Sequence, residues 1–373
     1  MTIPLSAPDI TEAEIEAVTA VLRTPHLSLG PELGRFEAAL AAYDGIAHAV
    51  AVSSGTAGLH LALLTLGIGE GDEVILPSFT FIAVANAVLQ VGATPVLVEI
   101  EPATLNLDAE AVERAITART RAIVVVHTFG VPAEMGALLE IARRRGLLIV
   151  EDACEAIGAE YGGRRVGSFG DLAVFGFYPN KQMTTGEGGA VLARYAGHAA
   201  RLRSLRNQGR RAGGDWLDHA EAGYNYRLSE LACALGRVQL GRMGEMLSLR
   251  RAAAERYQRL VSEAEIVGLE LPPLVVADRV ISWFVYVVRL PEGVDRERVR
   301  AGMAEAGVES GRYFAPIHLQ AAWRNLAGVE TPRLPTTERI AARTLALPFF
   351  NRISQAQQEQ VVDALAGAIK AAC

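Results

Sequence analysis

The sequence predicts an α/β fold with a mostly parallel sheet, and three observations carry that expectation. Seven short runs rich in branched apolar residues recur between residues 48 and 193, helix-like segments separate most of them, and 50% of the 373 residues are hydrophobic against 21% charged. That composition supports a large buried core and is far from that of a disordered chain. A chain of this length exceeds one ordinary core, so either two domains or one large α/β unit with an appendage is expected.

The runs are HAVAV (48–52), EVILP (73–77), TPVLVEI (94–100), RAIVVVH (121–127), LLIVEDA (147–153), LAVFGF (172–177) and GAVLA (189–193). The helix-like segments span 56–67, 81–92, 108–116 and 135–146. Strands that are apolar almost throughout belong in a parallel sheet covered on both faces. Beyond Leu228 the pattern turns helical from Ser229 to about Glu263 and reads as a connecting helix. A smaller region follows, with a strand at 283–290, a helix from Asp295, a proline-punctuated stretch at 312–335 and a closing helix from Ser354. The expected division is therefore a large domain over 35–245 and a small C-terminal α/β domain over 246–373. Residues 1–34 form a segment packing on the small domain or on a partner subunit.

Thirty-six basic and forty-two acidic side chains leave a net charge of −6, which argues against general binding to nucleic acid or anionic membrane. Cys154, Cys233 and Cys373 form no disulfide framework and no metal-ligand spacing, so a reducing, cytoplasmic location is expected and no metal. The amino terminus lacks the charged and apolar regions of a signal peptide. The uncharged stretch Val74–Val98 is long enough to span a bilayer, but its Ser, Thr, Asn, Gln and Pro residues favour strand, helix and strand buried in protein.

Ligands of α/β sheets gather at the carboxyl ends of strands, and four places there hold informative residues. Ser53-Ser54-Gly55-Thr56, between a strand and a helix, reads either as a phosphate cradle or as an ordinary helix cap. The nearby Gly67–Gly71 cluster follows a helix and precedes a strand, the reverse of a dinucleotide fingerprint, and is a helix-ending turn. Asp152, at the end of LLIVED, needs a positive partner if buried, and a protonated heterocycle would supply one; a buried capping role is the alternative. Lys181 is one of only two lysines, with Lys370, and emerges from a strand into a Tyr-Pro-Asn turn, as a candidate amine nucleophile for a carbonyl. Phe79 and Phe81 offer either an aromatic face for a planar ring or simple core packing. A phosphate site, an aromatic face, a carboxylate for a ring nitrogen and a Schiff-base lysine together are what pyridoxal 5′-phosphate requires.

The segments SSGTAGLHLAL (53–63), GDEVILPSFTFIA (71–83), IVEDACEAIGA (149–159), FGFYPNKQMTTGEGG (175–189), GYNYRLSELACALG (223–236) and YFAPIHLQ (313–320) resemble the DegT-type sugar-nucleotide aminotransferases over nearly the whole chain. The resemblance implies fold type I of the pyridoxal-phosphate enzymes: a large domain with a seven-stranded, mostly parallel sheet, and a homodimer with shared active sites. It implies that Lys181 joins the cofactor covalently, Asp152 pairs with the ring nitrogen and Phe81 stacks on the ring, while Ser54, Gly55 and Thr56 hold the phosphate. It places Glu155 near the cofactor, Asn225 and less directly Arg227 at the partner's site, and Tyr313 and His318 toward the sugar nucleotide. Relatives often carry Ser where this chain has Gly176. The implied reaction takes an amino group from L-glutamate, releasing 2-oxoglutarate, and delivers it to a nucleotide-linked keto-6-deoxy sugar; NKQMTTGEGG resembles relatives acting at C4 rather than C3. The diphosphate requires cationic donors, for which Arg206, Arg210 and Arg211 are candidates, with solvated surface arginines as the alternative. A sugar-nucleotide dehydratase of the same family and a cofactor-binding regulatory protein are the rivals; the first would carry His in place of Lys181, and the second has no reason to keep Asp152, Phe81 and Lys181 together.

Overall fold

The computed structural model describes residues 2–211, 213–326 and 331–372. Each of the seven apolar runs forms a strand: β1 (His48–Val52), β2 (Glu73–Pro77), β3 (Thr94–Val98), β4 (Thr120–Val126) and β5 (Leu148–Asp152), then, after the short hairpin of β6 (Glu160–Tyr161) and β7 (Arg164–Arg165), β8 (Leu172–Gly176) and β9 (Gly189–Ala193). They pair in the order β1-β9-β8-β5-β4-β2-β3. β9 runs antiparallel to both of its neighbours and every other pairing is parallel. Side chains alternate between the faces, so Val50 and Val52 enter one core while Ala49 and Ala51 enter the other.

Helices α1 (Glu12–Leu22) and α2 (Pro31–Asp44) precede the sheet, and α3 (Gly55–Thr65), α4 (Ala83–Gln90), α5 (Ala109–Ala115), α6 (Met135–Arg145) and α7 (Ala196–Arg206) are woven through it. Val74–Val98 folds as β2, α4 and β3, and no helix among the described residues is long and apolar enough to cross a membrane. Helix α7 escapes a reading of periodicity because only Ala199, Leu202 and Leu205 give it an apolar stripe.

The single helix expected over 229–263 is two, α8 (Glu230–Gly241) and α9 (Met243–Glu263). Ser229 caps the first by accepting the Ala232 N–H at 3.3 Å. The break falls at Arg242, whose guanidinium turns back to Glu14 at 2.7 Å and Asp9 at 3.3 Å and so fixes the N-terminal segment at the joint. Ile3 continues that segment into a bridge with Val308.

The C-terminal part contains β10 (Arg279–Val280), β11 (Tyr286–Arg289), α10 (Arg296–Glu305), α11 (Ala321–Arg324), α12 (Pro335–Arg343), β12 (Thr344–Leu347) and α13 (Gln355–Ala372). The strand expected at 283–290 is shorter because Trp283 adopts φ 54°, which takes the chain out of extended geometry. Within the stretch expected at 312–335, residues 327–330 lie outside the described residues, as does Cys373. Tyr257, Tyr286, Phe349 and Leu365 centre this part's own core. Where it meets the carboxyl edge of the large sheet, Phe79, Phe129, Phe284 and Phe314 pack together, with the Phe129 and Phe314 rings stacked at 5.4 Å.

Candidate active site

The carboxyl ends of β1, β5 and β8 open onto a cavity of about 630 Å³ whose wall includes Ser54, Thr56, Asp152, Glu155, Lys181 and Tyr313. Phe81 and Gly55 also reach it. The end of the cavity at the start of α3 is set by close backbone packing. Ser54 caps α3 by accepting the Ala57 N–H at 3.1 Å. A Cβ on Gly189 would stand 2.7 Å from the Ser54 carbonyl carbon, and one on Gly55 would stand 2.8 Å from Cys154 Sγ. Glycine at both positions lets the first turn of α3, with N–H groups that no helical carbonyl takes up, sit on the edge of the sheet. Ser54 caps the helix and lines the cavity.

Asp152 ends β5 and is 7% exposed. Its Oδ1 accepts the Cys154 N–H at 3.1 Å, and no cationic side chain among the described residues stands within 4.0 Å of it. A carboxylate so placed calls for a cation supplied by a ligand. Next to it in sequence but on the opposite face, Glu151 is fully buried and accepts N–H groups from Gly167, Phe169 and Gly170 at 2.7–2.8 Å and Nε2 of His127 at 3.1 Å. The Ala133 N–H donates to Nδ1 of His127, which therefore carries its ring proton on Nε2. Burial pushes the Glu151 carboxyl up, but the His127 and main-chain bonds outweigh it and hold it below the usual range.

Lys181 follows β8 after a turn closed by its own N–H on the Tyr178 carbonyl at 2.9 Å. Nζ stands 3.5 Å from Glu155 Oε1 and 4.0 Å from the centre of the Phe284 ring. The buried guanidinium of Arg250, on α9, fixes this arrangement: its bonds go to the main-chain carbonyls of Trp283, Phe284 and Lys181 at 3.0–3.3 Å. Burial raises the carboxyl of Glu155, and the Lys181 charge works against that rise. Tyr313 accepts from Asn180 Nδ2 at 3.2 Å, and burial raises its phenol.

The two phenylalanines divide: Phe79 is fully buried in the aromatic cluster, whereas Phe81 is 61% exposed at the cavity rim. His318 does not reach the cavity. It is wholly buried, with Nδ1 at 2.6 Å from Ser78 Oγ and Nε2 at 3.2 Å from Glu338, and both ring nitrogens are consumed in joining the loop after β2 to α12. Asn225 is exposed and Arg227 donates to Asn207 and Gln208 at 2.9 and 2.7 Å, so neither lines the cavity of its own chain. Of the arginines considered for a diphosphate, Arg206 is buried in an ion pair with Glu37, Arg210 covers Trp216, and Arg211 pairs with Asp218 at 2.8 Å. Arg312, which lines the cavity, had no motif to mark it. Phe284 and Arg250 also went unmarked, since a strand phenylalanine and a helix arginine are ordinary features of a sequence.

Residues 8–366 match the DegT/DnrJ/EryC1/StrS aminotransferase family. The chain belongs to this family. It is 40% identical over 372 residues to the GDP-perosamine synthase of Caulobacter vibrioides, covering 97% of each chain. Among solved structures it resembles DesV of S. venezuelae, with 40% identity, 98% of each chain covered and a TM-score of 0.89. It also resembles the PLP form of a putative sugar aminotransferase of Streptococcus pneumoniae, with 27% identity, 100% of each chain covered and a TM-score of 0.94. The fold is that of the fold type I enzymes, and pyridoxal 5′-phosphate is the aminotransferase's cofactor. The cavity suits that group: a helix start for an anion, an unneutralised carboxylate for a protonated ring nitrogen, and an amine beside them.

Proposed function

We propose that the aminotransferase moves an amino group from L-glutamate to a nucleotide-linked 4-keto-6-deoxy sugar, forming the 4-amino sugar and 2-oxoglutarate. The observation that carries this reading is the presence of Lys181 Nζ and the Asp152 carboxylate in the wall of one cavity. Identity to a GDP-perosamine synthase over almost the whole chain supports the sugar-nucleotide substrate. When bound, pyridoxal phosphate supplies an electron-accepting ring that stabilises negative charge on the carbon bearing the amine. The protein residues do the rest. Asp152 orients the ring nitrogen and keeps it protonated, Ser54, Gly55 and Thr56 hold the phosphate, and Phe81 covers one face. Lys181 Nζ carries the proton between donor and acceptor carbons in both half-reactions.

In this reading residues 35–245 form the cofactor-binding domain and residues 246–373 a smaller domain that contributes Phe284, Arg312 and Tyr313 to the substrate side. The working unit is a cytoplasmic homodimer in which Asn225, with Arg227 near it, reaches the partner's phosphate site; the exposure of Asn225 and its place outside the wall of its own cavity support this. The fully used imidazole of His318 supports a framework role for that residue in place of direct contact with the sugar.

The test is incubation of the holoenzyme with L-glutamate and dTDP-, UDP- and GDP-4-keto-6-deoxy sugars, with products resolved by mass spectrometry and NMR. A 4-amino sugar and stoichiometric 2-oxoglutarate are expected. Amination at C3, or no amino sugar with any nucleotide, would contradict the reading.

A further inference from the structure

The cavity wall carries three carboxylates, the exposed Glu187 and the buried Asp152 and Glu155, and the chain constrains the two buried ones differently. Asp152 has no cation from its own chain, whereas Glu155 faces Lys181 at 3.5 Å, the one carboxylate within 4.0 Å of that amine among the described residues. Glu155 is 6% exposed, and its second oxygen, Oε2, accepts the Phe129 N–H at 3.0 Å. That N–H is presented by a tight turn in which Phe129 and Gly130 have φ 58° and 86°; a Cβ on Gly130 would stand 2.8 Å from the Trp283 nitrogen. The main chain is held as well, since Gln182, next after the lysine, donates to the Glu155 carbonyl at 2.6 Å. Oε1 therefore has one partner, Nζ, and the Phe284 ring covers that amine at 4.0 Å and limits water around it.

We propose that Glu155 is the proton partner of Lys181, taking a proton from Nζ when the amine condenses with the cofactor aldehyde and returning it in the reverse, hydrolytic step. The inference rests on the aminotransferase reading. In the condensation a C=N bond forms between Nζ and the aldehyde carbon, the aldehyde oxygen leaves as water, and the ammonium proton in excess of that balance passes to Oε1. The surroundings suit this exchange. Burial raises the Glu155 carboxyl, the Lys181 charge opposes the rise, the Phe129 N–H also opposes it, and the Asp152 charge adds to it. Once the lysine loses its charge, the carboxyl is left in surroundings that favour its neutral form. The other titratable groups facing it are Cys154, whose thiol burial raises strongly, and Tyr313, whose phenol burial also raises; neither offers a competing acceptor at neutral pH.

The experiment strips the full-length protein of cofactor, adds pyridoxal phosphate, and follows the absorbance of the covalent adduct between about pH 6.5 and 8.5. In the wild type the proton stays within the pair, so the rate of adduct formation is expected to change by less than about threefold over that range. Glu155→Gln keeps an acceptor for the Phe129 N–H but cannot take a proton, so its rate is expected to rise about tenfold per pH unit and to fall at least about tenfold below wild type at pH 7. Matching profiles in wild type and a folded Glu155→Gln protein would overturn the proposal. If the Gln variant does not fold, Glu155→Asp carries the test: a flat profile is expected, and a tenfold-per-unit slope overturns the proposal. No adduct in the wild type at any pH would instead sink the aminotransferase reading and this inference with it.

Discussion

Cys154 and Gly176 compete for one small volume beneath the start of α3. A Cβ on Gly176 would meet Sγ at 3.2 Å and Cβ of Cys154 at 3.3 Å, and the same sulfur stands 2.8 Å from where a Cβ on Gly55 would lie. The thiol thus fills the floor beneath the helix start, and the glycine is the consequence. Gly176→Ser in the wild-type background is expected to weaken cofactor binding about tenfold, because sulfur and hydroxymethyl crowd each other. Cys154→Ala should relieve that crowding, so the double variant binds more tightly than Gly176→Ser alone, a non-additivity of about 1 kcal/mol or more readable by fluorescence titration.

Glu151 stands directly before Asp152 and anchors the strand end from behind. Removing its charge leaves three main-chain donors and His127 without their common acceptor. Glu151→Ala is expected to destabilise the fold by about 3 kcal/mol, measured by denaturant unfolding.

Asp152→Asn preserves an acceptor for the Cys154 N–H but not the charge that would hold a ring nitrogen protonated. Steady-state kinetics should show kcat lower by about 10²–10³-fold, with the protein still folded and still able to take up cofactor. Unchanged kcat would show that the carboxylate has no electronic role.

Asp44 predicts an unusual pH response. It is buried with neither carboxylate oxygen bonded, and burial, opposed by Arg165 and reinforced by Glu151, pushes its carboxyl up to about 8. Between 3.8, its ordinary value, and 8 the folded chain holds a proton that the unfolded chain has released, so this group's contribution to stability falls as pH rises. Asp44→Asn should therefore leave the melting temperature nearly unchanged at about pH 4 and raise it increasingly up to about pH 8. A constant difference across that range would refute the assignment.

Much of this was legible because the sheet is buried on both faces: the seven strands announce themselves as apolar runs, and Asp152 at the end of one and Lys181 in the turn after another stand out as charged residues beside them. What stayed hidden depends on contacts distant in sequence. Nothing local distinguishes Phe81 at the rim from Phe79 in the core, or a substrate-facing His318 from one clasped by Ser78 and Glu338. The break at Arg242 is equally silent, since a helix-compatible residue ends α8 by turning toward Asp9 and Glu14, more than 200 positions away. Trp283 looks like any strand residue until its backbone is seen in the left-handed region.

The bonds of Arg250 all end on peptide oxygens, at residues 181, 283 and 284. Such bonds are indifferent to side-chain identity, so the guanidinium holds the backbone at 284 whatever side chain stands there. A change at position 284 would therefore act on the lysine through the lost ring face over Nζ alone, while the main-chain path of residues 181, 283 and 284 stays tied to one guanidinium.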